Sequence, residues 1–357
     1  EMVNGTVTRA KSMTKSSRRL LPSVGGSTTL LKKEEDFREA LEILCENECR
    51  DTGIEKDKEQ FKKFMKEREK YFYRGGKVSW WNFYFSSENY TSAFIKRDRY
   101  ENLENLIVSV SNSANQSPVE IVNLYHHPGC GGTTLAMHIL WNLRKQFRCA
   151  VLKNKTGDFG TQLTTLVTYG ANNNSGYLPV LLLVDDFEDQ ENVYLLQKEI
   201  EEAITEKCIL YVNPLVIILN CMRSQNPDES STINPLNSIS LTNSLSYKEQ
   251  RAFDQKLKDI EKMHQNPDNF YSFMIMKKNF DPKYIEKVVK KTLHNLNIAS
   301  KPAKLVYYLT LLNSYVGTST LSISLCEEFL GINSRETGNK DRLIEKMGIC
   351  SSILMYV

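Results

Sequence analysis

Residues 119–141 limit the folds open to this chain more than any other stretch. An apolar, β-rich segment from Val119 to Tyr125 runs into His126-His127-Pro128-Gly129-Cys130-Gly131-Gly132-Thr133-Thr134. Leu135, His138/Ile139 and Leu143 then recur at the spacing of an amphipathic helix. Strand, glycine cluster and helix form the setting of a phosphate-binding loop. Glycines let the backbone curl so that successive N–H groups face one anion. The N-terminus of the helix that follows adds partial positive charge.

The usual form of such a loop is a glycine, four residues, a second glycine, a lysine, then serine or threonine. Aligned on it, Gly131 takes the second glycine and Thr133 the metal-binding hydroxyl. His126 stands at the first glycine and Gly132 at the lysine. That lysine normally neutralises charge on the β- and γ-phosphates. The expectation is therefore a backbone cradle for ATP or GTP, made by Pro128, Gly129, Cys130, Gly131, Gly132, Thr133 and Thr134, with slow or no hydrolysis.

Downstream, strand and helix alternate: a buried strand at 149–152, a helix at 159–170, then Leu178-Pro179-Val180-Leu181-Leu182-Leu183-Val184-Asp185-Asp186. A continuous apolar strand ending in carboxylates reads as a central parallel strand, and ligands bind open α/β sheets at that end. Asp185 fits the carboxylate that holds Mg2+, usually through water. Asp186 fits the residue that positions or polarises an attacking water. The alternative is a pair of surface carboxylates capping a turn. Another strand, 214–220, leads into Cys221-Met222-Arg223. Just past the strand end, Arg223 can reach a terminal phosphate and supply some of the missing charge, or else it is an exposed loop arginine.

These readings define an α/β P-loop NTPase core, a parallel sheet flanked by helices, at residues 119–238. Residues 1–33, rich in Ser, Thr, Gly and basic side chains, read as a basic linker, with a phosphate-touching arm as the alternative. Residues 34–118 read as a helical hairpin and an aromatic-rich flank. Within it, Arg74 to Arg99 carries Trp80, Trp81, Phe83, Tyr84, Phe85, Tyr90 and Phe94. A short β element with its aromatics in the core is the expected form. A surface that stacks and clamps single-stranded nucleic acid through Lys96 and Arg97 is the other. Residues 239–300 read as a helical lid, opened by the capping box of Ser246 and Glu249. Residues 301–357 read as a further helical region ending in an apolar stretch.

A length of 357 residues suits two or three domains, and a net charge of +3 implies neither a nucleic-acid nor a membrane partner by itself. The eight cysteines lack paired Cys-x-x-Cys spacing, which suits reduced thiols in a cytoplasmic protein rather than a metal site. No apolar run reaches the ~20 residues of a membrane helix. Opening on Glu1, the chain reads as a piece of something longer.

The order of these features resembles the signal-transducing NTPases with numerous domains. It runs from glycine loop and tandem aspartates through Asn220-Cys221-Met222-Arg223 to Leu241, Leu245-Ser246 and Glu249-Gln250. That resemblance implies an arginine at Arg223 touching the terminal phosphate, a lid opening at Leu241 and a winged-helix module after it. More narrowly, residues 127–136 together with Gly75-Gly76-Lys77-Val78-Ser79-Trp80-Trp81 are similar to the sterile alpha motif domain-containing protein 9 and 9-like family. This implies an interferon-linked, cytoplasmic antiviral restriction factor that represses translation and cell growth and is countered by viral host-range proteins. The family's sterile alpha motif and its Schlafen-like nucleic-acid-binding domain have no counterpart in these residues. The stretch would then be the central regulatory module, contacting other domains of the full-length chain and self-associating on a signal. Two readings stand beside it: a working NTPase, and a relic fold that binds nucleic acid or a viral protein.

Overall fold

The computed structural model describes residues 18–30, 40–114, 117–154, 158–171, 176–185, 190–233, 235–264, 270–293, 297, 299–315, 321–332, 343 and 346–347. Ala10–Phe280 make one compact unit and Asp281–Val357 fall in another. The first begins with β1 (Arg19–Ser23), β2 (Gly26–Leu30) and β3 (Leu41–Leu44), then α1 (Lys58–Tyr73), α2 (Trp80–Ser87) and α3 (Tyr100–Ser111). The central segment follows as β4 (Val119–His126), α4 (Gly132–Leu143), β5 (Arg148–Leu152), α5 (Phe159–Thr168), β6 (Val180–Asp185), α6 (Gln190–Glu206) and β7 (Val216–Arg223). A short α7 (Pro227–Ser231), β8 (Ser238–Leu241), α8 (Tyr247–Met263) and α9 (Tyr271–Lys277) complete the unit.

The fold is α/β, with helices on both faces of a sheet ordered β3-β5-β6-β7-β4-β8. Five strands run parallel and β3 runs antiparallel to β5, so the sheet is mixed rather than wholly parallel. Alternation along the strands sorts the core into two layers. On β6, Leu181 and Leu183 join Leu135, Ala136 and Ile139 of α4. Val180, Leu182 and Val184 join Phe159 and Leu163 of α5 and Leu196 and Ile200 of α6 on the other side. With both faces covered, β6 and β7 can be apolar at almost every position, as their sequences require.

Local sequence explains the helix starts. Asp57 accepts from the N–H groups of Glu59 and Gln60 to open α1. The Ser246–Glu249 capping box read in the sequence opens α8. Tyr73 of α1 packs with Phe253 of α8 and with Phe270 and Phe273 beside and within α9. Helices α8 and α9 therefore share a core with α1. In the second unit, α10 (Pro282–Leu293), α11 (Lys301–Tyr315) and α12 (Ile323–Leu330) are present, and Leu305, Cys326, Leu330, Leu343 and Met347 form a small core.

Several expectations change. Residues 19–30 are not a linker: β1 and β2 form a hairpin whose Leu21 and Leu30 are buried. Buried Arg148 holds it, donating through Nε to Pro22 O at 3.1 Å and through Nη1 to Leu166 O and Val167 O at 2.7 and 2.9 Å. Within the first part of the expected helical hairpin, Leu41–Leu44 form the sheet strand β3, and residues 31–39 lie outside the described residues. Four residues, Leu41–Leu44, are too few for apolar spacing to tell helix from strand, and pairing with β5 decides. The aromatics at 80–85 are core, as read, but lie on a helix rather than a β element. Residues 1–17 and 351–357 lie outside the described residues.

Candidate functional site

At the C-terminal end of β4 the chain turns through residues 127–131 into α4. Gly129 and Gly131 have φ of 77° and 91°, the left-handed region that glycine enters without a Cβ clash. Cys130 N donates to His127 O at 3.3 Å and Leu135 N to Gly131 O at 2.9 Å, so the loop closes on itself and hands over to the helix. Pro128 and Gly129 are exposed, Gly131, Thr133 and Thr134 are half-buried, and Cys130 and Gly132 are buried. Burial pushes the Cys130 thiol up from its ordinary value, so it packs as a neutral group.

The two departures from the loop pattern prove to be one. A Cβ added at Gly132 would lie 2.2 Å from Cδ2 and Cγ of His126. The imidazole, held by Nδ1–H donating to His127 O at 3.0 Å, fills the space that a side chain at position 132 would need. Histidine at the first glycine position therefore requires glycine at the lysine position.

Thr133 Oγ1 donates to Asp185 Oδ1 at 2.8 Å, a charge-assisted bond that joins the start of α4 to the end of β6. Asp185 continues the alternation of Leu181 and Leu183, which puts it on the α4 face of the sheet. Its other oxygen, Oδ2, lies 3.7 Å from Lys77 Nζ. Lys77 comes from the turn between α1 and α2, far from the loop in sequence. Arg223 is the last residue of β7, not a residue past its end. It is paired in register with His126, exposed, and on the α4 face by the alternation of Ile217, Leu219 and Cys221. Asp186 lies outside the described residues.

A second set of contacts ties the loop to the residues after β8. Arg97 donates through Nε to Glu249 Oε1 at 2.5 Å, through Nη1 to Cys130 O at 2.5 Å and through Nη2 to Thr242 O at 3.0 Å. Arg97 and Glu249 side chains are 7% and 4% exposed, so this is a buried ion pair linking the glycine loop to the first turn of α8. His127 forms a further clasp. Its Nδ1 accepts from Asn243 N at 3.2 Å, which leaves Nε2–H to donate to Gln225 O at 2.9 Å. A Cβ at Gly129 would meet Phe280 Cε1, and one at Gly131 would meet Met276 Cε, each at 3.6 Å. Asn279 and Phe280, at φ of 55° and 56°, make the left-handed turn that brings the Phe280 ring there. Asn279 Oδ1 accepts from Leu245 N at 2.7 Å.

The structure thus brings Gly129, Gly131, Gly132, Thr133 and Asp185 together and puts Arg223 at the same end of the sheet. It adds Lys77, Arg97 and His127, to which the sequence reading gave no such roles. Gly75-Gly76-Lys77 was visible as a motif, without anything to say what the lysine would meet. Arg97 was grouped with Lys96 as a nucleic-acid contact, yet it is buried, and Lys96 Nζ lies 4.2 Å over the Tyr100 ring. Among the described residues, no group of three histidine, cysteine or carboxylate side chains could hold a metal by itself. No described helix is long and apolar enough to cross a membrane.

No protein-family model matches this sequence. Over 359 residues it is 60% identical to sterile alpha motif domain-containing protein 9 of Homo sapiens, an alignment covering 99% of this chain and 22% of that protein. The 9-like proteins of Mus musculus and Homo sapiens are each 58% identical over 99% of this chain and 23% of their own length. The chain spans less than a quarter of these curated relatives. Among solved structures, a chain of the E. coli MS115-1 HORMA:CdnC:Trip13 complex aligns with 70% of this chain and 86% of its own. Its identity of 10% and TM-score of 0.26 are too low to carry a comparison of folds.

Proposed function

Since this chain belongs to the sterile alpha motif domain-containing protein 9 and 9-like family, we propose that it is the regulatory nucleotide-binding module of a longer antiviral restriction factor. In this reading it has a P-loop NTPase core that binds ATP or GTP with Mg2+ and hydrolyses it slowly or not at all. The observation that carries the reading is the contact of Thr133 Oγ1 with Asp185 Oδ1 at 2.8 Å, at the end of the sheet where α/β folds take ligands. A hydroxyl and a carboxylate are the hard oxygen donors that Mg2+ accepts, with nucleotide phosphates and water filling its remaining positions. Thr133 and Asp185 would hold the ion, and the loop N–H groups of 129 and 131–133 the phosphates.

The switching part of the proposal rests on Arg97. One guanidinium is bonded to the loop carbonyl of Cys130 and to Glu249 at the start of α8, so a loop that shifts to admit phosphate must move or break that link. Phe280 and Met276 lie against the same loop and would respond with it. The output is release of an autoinhibited state or self-association of the full-length protein in the cytoplasm.

Titration of the chain with fluorescent ATP and GTP analogues in Mg2+ tests the reading. Thr133→Ala and Asp185→Ala should each weaken binding about tenfold or more, equivalent to ~1.4 kcal/mol. They should also change the dependence of self-association on nucleotide. Unaltered binding in both variants would remove the site.

A further inference from the structure

The loop of the proposed site lacks the lysine that normally meets the terminal phosphates, and position 132 has no room for one. A Cβ there would be driven into the His126 ring. A different lysine stands at the same carboxylate. Lys77 Nζ is 3.7 Å from Asp185 Oδ2, on the opposite oxygen from Thr133.

The turn that delivers Lys77 is built rather than incidental. After α1, Gly75 N donates to Phe72 O at 2.9 Å and Gly76 N to Tyr71 O at 3.0 Å, which folds the chain sharply back. Gly75 has φ of 110°, and a Cβ on it would lie 3.3 Å from Ser272 Cβ of α9. A Cβ on Gly76 would fall 2.2 Å from the Tyr71 ring. On the far side Val78 is buried and the Ser79–Asn82 capping box opens α2. The backbone on both sides of Lys77 is therefore pinned, while the lysine side chain is 67% exposed.

The frame between turn and loop is also closely packed. Trp80 stacks on Trp141 at 6.5 Å between ring centroids, and Phe83 stacks on His138 at 5.1 Å. The helix after the Lys77 turn is thus packed onto the helix after the glycine loop. Trp80 Nε1–H donates to Glu42 Oε1 at 2.6 Å, which anchors α2 to the edge strand β3 as well.

We propose that Lys77 is the phosphate-neutralising lysine of this site, supplied from the turn between α1 and α2 because His126 and Gly132 exclude one from the loop. This rests on the nucleotide reading above. Without nucleotide, Lys77 balances Asp185. With Mg2+ on Asp185, the ammonium turns to the β- and γ-phosphate oxygens, a movement its exposed four-carbon stem permits.

The competing account makes Lys77 only a counter-ion of Asp185, and the two predict opposite signs. If Lys77 binds phosphate, Lys77→Ala weakens binding of the Mg2+–ATP analogue about tenfold or more, Lys77→Arg keeps most of it, and binding of AMP barely changes. If Lys77 is a counter-ion that competes with Mg2+, Lys77→Ala binds the analogue as well as the unaltered chain or better, and the proposal falls. Thr133→Ala and Asp185→Ala, measured alongside, separate the two levels. Loss of binding in those variants with none in Lys77→Ala overturns the lysine alone. Full binding in all three overturns the nucleotide site and the lysine with it. A second arm restores the ordinary pattern: His126→Gly with Gly132→Lys in the Lys77→Ala background should recover binding. Failure of a folded triple variant to recover it counts against the exchange of lysines.

Discussion

Two glycine turns of this molecule, residues 129–132 and residues 75–76, use the same residue type for different ends. In the first, glycine lets the backbone turn through the left-handed region and leaves it without side chains at Gly129, Gly131 and Gly132. In the second, glycine lets a helix end fold tightly against Tyr71 and Ser272 and hold the next residue, Lys77, toward Asp185. Each turn opens a helix, α4 or α2, and those helices are joined through Trp80–Trp141 and Phe83–His138. If Lys77 serves the loop as proposed, the difference teaches that the backbone part and the charged part of a binding site need not be consecutive. They can be parted in sequence wherever a rigid helix pair fixes the distance between them.

The comparison can be broken most severely at Arg97, which ties the first turn to α8. Arg97→Met leaves Glu249 charged and buried without its partner, and the chain should lose about 3–5 kcal/mol in urea denaturation. A loss below about 1 kcal/mol would mean that the guanidinium does not bear on the loop.

Next comes the junction of the two helices. His138 is buried among Phe83, Phe94 and Tyr100. Burial first, and the charge of Lys96 second, pull its pKa down from 6.5 to about 4. The sign follows from that depression: the unfolded chain takes up the proton first. Stability attributable to His138 is therefore complete above pH 6.5, falls as pH drops, and levels off near pH 4. The fall amounts to about 3 kcal/mol at most. His138→Gln should flatten that part of the curve of melting temperature against pH, and an unchanged slope would assign the acid loss to other groups.

A smaller effect isolates the exchange between positions 126 and 132. Gly132→Ala forces its methyl into the His126 ring and should cost about 1–3 kcal/mol. In His126→Gly the same alanine should cost much less, giving a double-mutant coupling of about 0.5–3 kcal/mol. Additive losses would show that the two residues are independent. The smallest effect belongs to Lys77. Its side chain is 67% exposed and Asp185, 13% exposed, keeps the bond from Thr133, so Lys77→Ala without nucleotide should alter stability by about 0–1 kcal/mol, less at high salt. A larger loss would make the second turn a structural strut.

Much of the local structure around the loop is legible in the sequence because its signals are local. The strand into the glycine loop, the helix after it and the apolar strand ending at Asp185 each follow from a run of adjacent residues. The capping box of Ser246 and Glu249 does too. What misled were short or shared patterns. Leu41–Leu44 fits either period, and the hairpin at 19–30 was hidden by the basic, serine-rich composition around it. Arg97 looked like a surface cation beside Lys96, because a linear reading carries no information about burial.

By itself the sequence determined the secondary structure around the loop, the α/β class and the departure at positions 126 and 132. Glycine conformational freedom, apolar periodicity and residue identity act over a few neighbouring residues. Only the tertiary structure decided that His126 fills the space above Gly132, that Arg97 locks the loop to α8, and that Lys77 stands at Asp185. Those contacts join distant segments, and their distances are set by how helices with aromatic faces stack on a sheet, which no local pattern specifies.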